Sequence, residues 1–153
     1  MTQEEKQLLL KYLCAVLPYG VICKTEKGDG YLCSINQTIF GTEYGININP
    51  LKRDYFSDNE TEEQFIKPYL RSMSSMTEKD MDNLNRYVGG DRFIFENGVI
   101  SVVQNFYQEG HLYSDHEDYV DIIDWLNEHH FDYRGLIEKG LAFEAPEGMY
   151  KTE

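Results

Sequence analysis

The sequence predicts a single α+β domain over residues 1–153, in which an N-terminal helix leads a bent antiparallel sheet, or SH3-like barrel, and two or three further helices follow. Three observations carry that expectation. A capped amphipathic stretch opens the chain, short alternating segments punctuated by Gly and Asp come next, and two more capped helical patterns occupy the second half.

The first helix is expected over residues 2–15. Leu9, Leu10, Leu13 and Val16 recur at helical spacing, Thr2 with Glu5 forms a capping-box pattern, and Pro18 and Gly20 stop the run. Strands are then expected at 20–26 and 30–36, with the turn at Lys27–Gly28–Asp29–Gly30. A third, at 44–51, alternates Ile46 and Ile48 with Asn47 and Asn49. Residues 52–63 are polar and read as a surface loop. The next strand, 64–73, contains Pro68, which favours an edge or a bulge.

Thr77 before Glu78, Lys79 and Asp80 signals a helix start with an acidic first turn, and Gly89–Gly90 signals its end. Strands are expected at 91–96, 98–108 and 111–114, with Asn97–Gly98 as a hairpin turn. A last long helix should span 117–129, capped by Asp115, with Tyr119, Ile122, Ile123 and Leu126 as its apolar stripe. A shorter helix is expected at 133–139, ended by Gly140, and the tail adds one strand.

With 41% hydrophobic residues, 12 Tyr, 8 Phe and 1 Trp, the chain is too apolar and aromatic to be disordered despite a net charge of −13. Core and rim packing accounts for most of the tyrosines, and a minority is expected at a binding surface. Cys14, Cys23 and Cys33 make no CxxC pair and read as reduced, partly buried thiols, with Cys14 on or beside the buried stripe of the first helix. Glu4 and Glu5 stand where a signal peptide carries positive charge, and no run of about 18 apolar residues occurs, so a cytoplasmic, membrane-free protein is expected.

The charge is uneven. Residues 1–76 hold 8 Lys+Arg against 10 Asp+Glu, whereas residues 77–153 hold 6 against 17. Such a field repels phosphates, which argues against direct nucleic-acid binding and for a basic partner. The candidate surface is the last helix. Glu117, Asp121, Asp124 and Glu128 are spaced by four, three and four, with Asp118 beside them, and no Lys or Arg lies between Arg92 and Arg134. Like charges at this spacing cost a helix roughly 0.2–0.5 kcal/mol per pair. The alternative is a merely solvated face.

Catalytic signals are absent: there is no GxSxG, P-loop or GxGxxG pattern. His111, His116, His129 and His130, with Asp115, Glu117 and Asp118, lack HExxH-type spacing, so no metal and no cofactor is expected. One of His129 and His130 is expected to pack near Trp125 or to cap the helix end.

Three segments, 4–21, 65–80 and 123–150, together resemble a family of small uncharacterised proteins of gut Bacteroidales and their prophages and other mobile elements. The resemblance implies a phage or mobile-element setting and carries no catalytic residue. Joined to the charge pattern, it leads to the expectation of a non-catalytic acidic binding protein whose partner is basic, in its most specific form a phage-type, anti-CRISPR-like inhibitor of a nucleic-acid-binding defence protein. The alternatives are a small enzyme using carboxylates of 115–118 with His129 or His130, and a phage structural or assembly component.

Overall fold

The computed structural model describes residues 1–58, 66–87, 93–96, 99–102 and 115–150, with side chains for 1–58, 66–87 and 120–150. The chain divides into two compact units, residues 1–70 with 134–145, and residues 71–133 with 146–153.

The first unit begins with helix α1 (Gln3–Val16). Its start is fixed by the expected capping box, in which the Glu5 amide donates to Thr2 Oγ1 at 3.1 Å and the Thr2 amide donates to Glu5 Oε2 at 2.7 Å. It buries Leu9, Tyr12, Leu13 and Val16. A 3₁₀ turn over Leu17–Tyr19, with Pro18 in it and Gly20 at φ 71°, ends the helix. Cys14 faces outward and is exposed, so the expectation of a buried thiol there fails. It precedes Val16 by two residues, which on a helix is the wrong face. Cys23 is the buried thiol, and burial pushes its pKa up.

Six strands form one sheet: β1 (Ile22–Thr25), β2 (Gly28–Thr38), β3 (Gly41–Asn49), β4 (Lys52–Ser57), β5 (Lys67–Leu70) and β8 (Phe143–Glu144). The order is β4-β3-β2-β1-β5-β8, and every pairing is antiparallel except β5 with β8. The sheet is open rather than a closed SH3-like barrel, because β4 and the two-residue β8 end it without meeting. Inward residues alternate as a half-buried sheet requires, with Cys23, Leu32, Tyr44, Ile46, Phe56, Pro68 and Leu70 buried.

Four local expectations are corrected. The β1–β2 turn lies at Glu26–Lys27, and Gly28 to Gly30 belong to β2. At Gly30 the constraint is close approach, since a Cβ there would stand 2.5 Å from the Asn47 carbonyl oxygen. Lys52–Ser57 is a strand, not loop. Its inward alternation is hidden by charge, since Phe56 is buried opposite Tyr44 while Asp54 takes ion pairs from Lys27 at 3.7 Å and Lys52 at 3.8 Å. Pro68 lies inside the sheet rather than at its edge. The β8 side pairs only from Tyr69 onward, so it asks no N–H of the proline. Residues 133–139, expected as a helix, form turns around Gly135 and Gly140, both at φ 72°. Residues 59–63 of the expected loop lie outside the described residues.

The second unit holds α2 (Glu78–Tyr87), the antiparallel pair β6 (Phe93–Glu96) and β7 (Val99–Val102), and α3 (Asp115–Glu128). Asp115 is the first residue of α3 rather than its cap. The Asn97–Gly98 turn, the Gly89–Gly90 stop, the remainder of the strand expected over 98–108 and the strand expected at 111–114 lie outside the described residues. Met76, Leu84, Ile122, Trp125, Leu126 and Phe131 form this unit's core.

Arg71 organises that core. Its Nη2 donates to Asp80 Oδ2 at 2.7 Å, and Asp80 also accepts from the Thr77 amide at 2.9 Å and the Thr77 hydroxyl at 3.0 Å. The Asp80 amide returns a bond to Thr77 Oγ1 at 3.1 Å, closing the α2 cap. The Arg71 guanidinium lies 4.1 Å from the Phe131 ring centroid, and its backbone brackets the same segment. The Arg71 amide donates to the His130 carbonyl, and the Asp132 amide donates to the Arg71 carbonyl, both at 2.8 Å. One residue thus ties the start of α2 to the end of α3.

Burial pushes the Asp80 carboxyl up, and the Thr77 amide, the Arg71 guanidinium and the Thr77 hydroxyl outweigh it, holding its pKa below the usual carboxylate value. A depressed carboxylate stabilises the fold above its unfolded pKa, and that contribution is lost as pH falls through the folded value. Urea unfolding from pH 7 to pH 2 should therefore show stability declining below about pH 4. Asp80→Asn should lower stability at pH 7 by about 3 kcal/mol, because it strands a buried guanidinium, and should flatten the acid decline. Gly30→Ala, at a strand position where Ala is ordinarily favoured, should instead destabilise by about 1–3 kcal/mol in the same assay.

Candidate functional site

Helix α3 presents two faces with different chemistry. Ile122, Trp125 and Leu126 are buried at spacings of three and one, a narrow stripe that seats the helix. Ile123, expected in that stripe, is 36% exposed, and Trp125 takes its place. The i, i+3, i+4 spacing of Ile122, Trp125 and Leu126 is present in the sequence and is the better helical match. Tyr119 lies in α3 with its side chain outside the described residues.

On the other face Asp121 and Asp124 are half-buried and Glu128 is exposed. Their spacing of three and four residues places them in one row. Val120, 57% exposed, precedes Asp124 by one turn, so the outer face is acidic with an apolar flank at Val120 and Ile123. Neither of these two flanking residues was marked as a surface residue by the charge pattern. Among the described residues Asp121, Asp124 and Glu128 form no ion pair. Glu117 and Asp118 lie in α3, with side chains outside the described residues.

The end of the helix is fixed by a left-handed stop. His130 has φ 62°, its amide donates to the Asn127 carbonyl at 3.1 Å, and the Phe131 amide donates to the Leu126 carbonyl at 2.9 Å. This is the paired-bond Schellman pattern with His130 where Gly is usual. Its customary apolar contact is the stacking of Phe131 on Trp125, with centroids 5.7 Å apart. The buried Asn127 accepts from the Tyr133 hydroxyl at 2.8 Å. Arg71 then pins this corner through its backbone bonds and its guanidinium.

Both histidines of the alternative catalytic cluster have structural engagements. His129 stacks on Trp125 with centroids 4.2 Å apart, and its Nδ1 donates to the Trp125 carbonyl at 2.9 Å. The His130 ring stacks on Tyr150 at 3.8 Å. The side chains of Asp115, His116, Glu117 and Asp118, and residue His111, lie outside the described residues. Among the described residues no three His, Cys, Asp or Glu side chains group in a way suited to a metal ion. No helix among them is long and apolar enough to cross a membrane.

Comparison with family models, curated proteins and solved structures yields no match.

The left-handed stop generates a clean stability test. His130→Gly and His130→Ala both remove the ring from Tyr150, but only Ala retains a Cβ in the left-handed region. The Ala variant should be less stable than the Gly variant by about 1 kcal/mol in urea unfolding. Equal stabilities would mean that the corner does not hold His130 in this conformation.

Proposed function

We propose that this chain is a non-catalytic binding protein whose α3 outer face engages a basic partner. The observation that carries the reading is the row Asp121, Asp124 and Glu128, unpaired among the described residues on a helix whose opposite face is buried. Carboxylates in a row repel one another, and a cationic surface is what turns that repulsion into attraction. The exposed Val120 and Ile123 add apolar area beside the charges, which purely solvated acidic faces do not need.

The more specific reading is an inhibitor of a nucleic-acid-binding defence protein, of the CRISPR-effector kind, with the acidic face occupying a groove meant for phosphates. The net charge of −13 supports it, since a chain so charged is drawn to basic clefts at rates that depend on salt. The resemblance of residues 4–21, 65–80 and 123–150 to prophage and mobile-element proteins of gut Bacteroidales supplies a setting in which such inhibitors are useful.

The test is the triple reversal Asp121→Lys, Asp124→Lys and Glu128→Lys. The exposed Glu128 should tolerate reversal within about 0.5 kcal/mol, the half-buried Asp121 and Asp124 should cost more, and urea unfolding of the triple variant checks that it remains folded. Partners recovered from a host lysate by the wild type should include a basic protein that DNA or RNA displaces. With that protein purified, the reversal should slow association by about tenfold or more at low salt and have less effect as salt rises. Association unchanged by the reversal, or indifferent to nucleic acid and salt, would contradict the reading.

A further inference from the structure

Two hairpins in the first unit are built on one local plan, and they differ only where the plan leaves freedom. In each, a Thr and a Gly three residues later close the turn, with Thr25 paired to Gly28 and Thr38 to Gly41. The Thr25 hydroxyl donates to the Gly28 carbonyl at 2.6 Å and accepts from the Lys27 amide at 3.2 Å. The Thr38 hydroxyl donates to the Gly41 carbonyl at 2.9 Å and accepts from the Phe40 amide at 3.1 Å. The glycines match too, with φ 127° at Gly28 and 124° at Gly41.

Since Thr and Gly specify the turn, its two central residues answer only to their surroundings. In the first hairpin they are Glu26 and Lys27, as water favours. In the second they are Ile39 and Phe40, 92% and 72% exposed. Nothing local asks for them. Leu51, also exposed, stands singly between Pro50 and Lys52, the scattered kind that needs no explanation.

The second tip is also held still. Below it the Thr42 amide donates to Asp58 Oδ1 at 2.9 Å, the Asp58 amide donates to the Thr42 carbonyl at 3.0 Å, and the Thr42 hydroxyl donates to Gln37 at 3.3 Å. An apolar pair presented by a rigid turn loses little entropy on docking. The charges carried by the two strands of this hairpin are of one sign. No Lys or Arg lies between Lys27 and Lys52, while Glu43 and Asp58 flank the base of the tip.

We infer that the β2–β3 hairpin tip is a docking plug, in which Ile39 and Phe40 enter an apolar pocket with a basic rim on a partner protein. An anionic bilayer is disfavoured by Glu43 and Asp58, and a second copy of this chain by the net charge of −13. The inference deepens the basic-partner reading and rests on it for the sign of the rim.

The test places a benzophenone amino acid at position 40 and, as a control in the matching turn, at position 27. Photolysis in a host lysate, beside vesicles of phosphatidylglycerol or phosphatidylcholine, identifies what each tip touches. Position 40 should link to a basic protein that position 27 does not reach. With that protein purified, Ile39→Ser with Phe40→Ser should weaken binding at least about 30-fold, the level of a hot spot, while leaving the melting temperature unchanged. Glu26→Ser with Lys27→Ser should stay within about twofold. Links from position 40 only to lipid or to a second copy, no link at all, or a tip variant within about twofold would each overturn the plug. If the α3 charge reversal weakens the same complex and the tip variant does not, the plug falls and the acidic-face reading stands. If the tip partner is acidic or its binding ignores salt, the basic rim and the basic-partner reading fall together.

Discussion

The Arg71–Asp80 pair is the interaction on which the second unit depends. It joins two signals that are far apart in sequence, the capped start of α2 and the left-handed stop of α3. The side chains are 13% and 3% exposed, so both ions have left water, and that desolvation offsets much of their attraction. The return comes from convergence: Asp80 accepts from Arg71 and from both donors of Thr77, and the guanidinium lies over Phe131. Arg71 Nη1 remains buried with no hydrogen-bond partner among the described residues, a cost that the rest of the arrangement bears.

From that pair a stacked series leads to the candidate site. Arg71 lies on Phe131, Phe131 stacks with Trp125, and Trp125 stacks with His129, so the inner face of α3 is fixed by flat groups in register. Fixing the inner face fixes the outer one. A row of carboxylates on a loosely held helix would turn or fray to separate its charges, whereas on this helix it is held in place. The strain accepted at His130, a left-handed position without Gly, belongs to the same arrangement.

Much of the architecture is legible in the sequence because it is written in local codes. The Thr2–Glu5 box, the Thr77 cap and the alternation of Ile46 with Asn47 act over a few residues and fold as they read. The misread elements are those whose signal is masked or long-range. Phe56 is one inward apolar residue among charges, so Lys52–Ser57 passes for a loop until Tyr44 is opposite it. Pro68 is placed inside the sheet by partners distant in sequence, and the expected tail strand finds its parallel place beside β5 only in the fold. At the site the acidic spacing is plain in the sequence, and so is the i, i+3, i+4 spacing that seats Trp125 rather than Ile123, whereas the stacking of Trp125 on Phe131 is a property of the fold. The paired Thr-x-x-Gly turns are visible in sequence, yet the exposure of Ile39 and Phe40 is a property of the fold.

If Arg71 holds the acidic helix in place, its loss must be felt at the far end of that helix and not only at α2. Amide hydrogen exchange in Arg71→Met measures this most directly. The expected result is a joint loss of protection at Asp80 and Met81 and at His129, His130 and Phe131, while Leu32 and Ile46 of the first unit keep theirs. Loss confined to α2, with the amides of α3 as protected as in the wild type, would contradict the dependence of the site on this one residue.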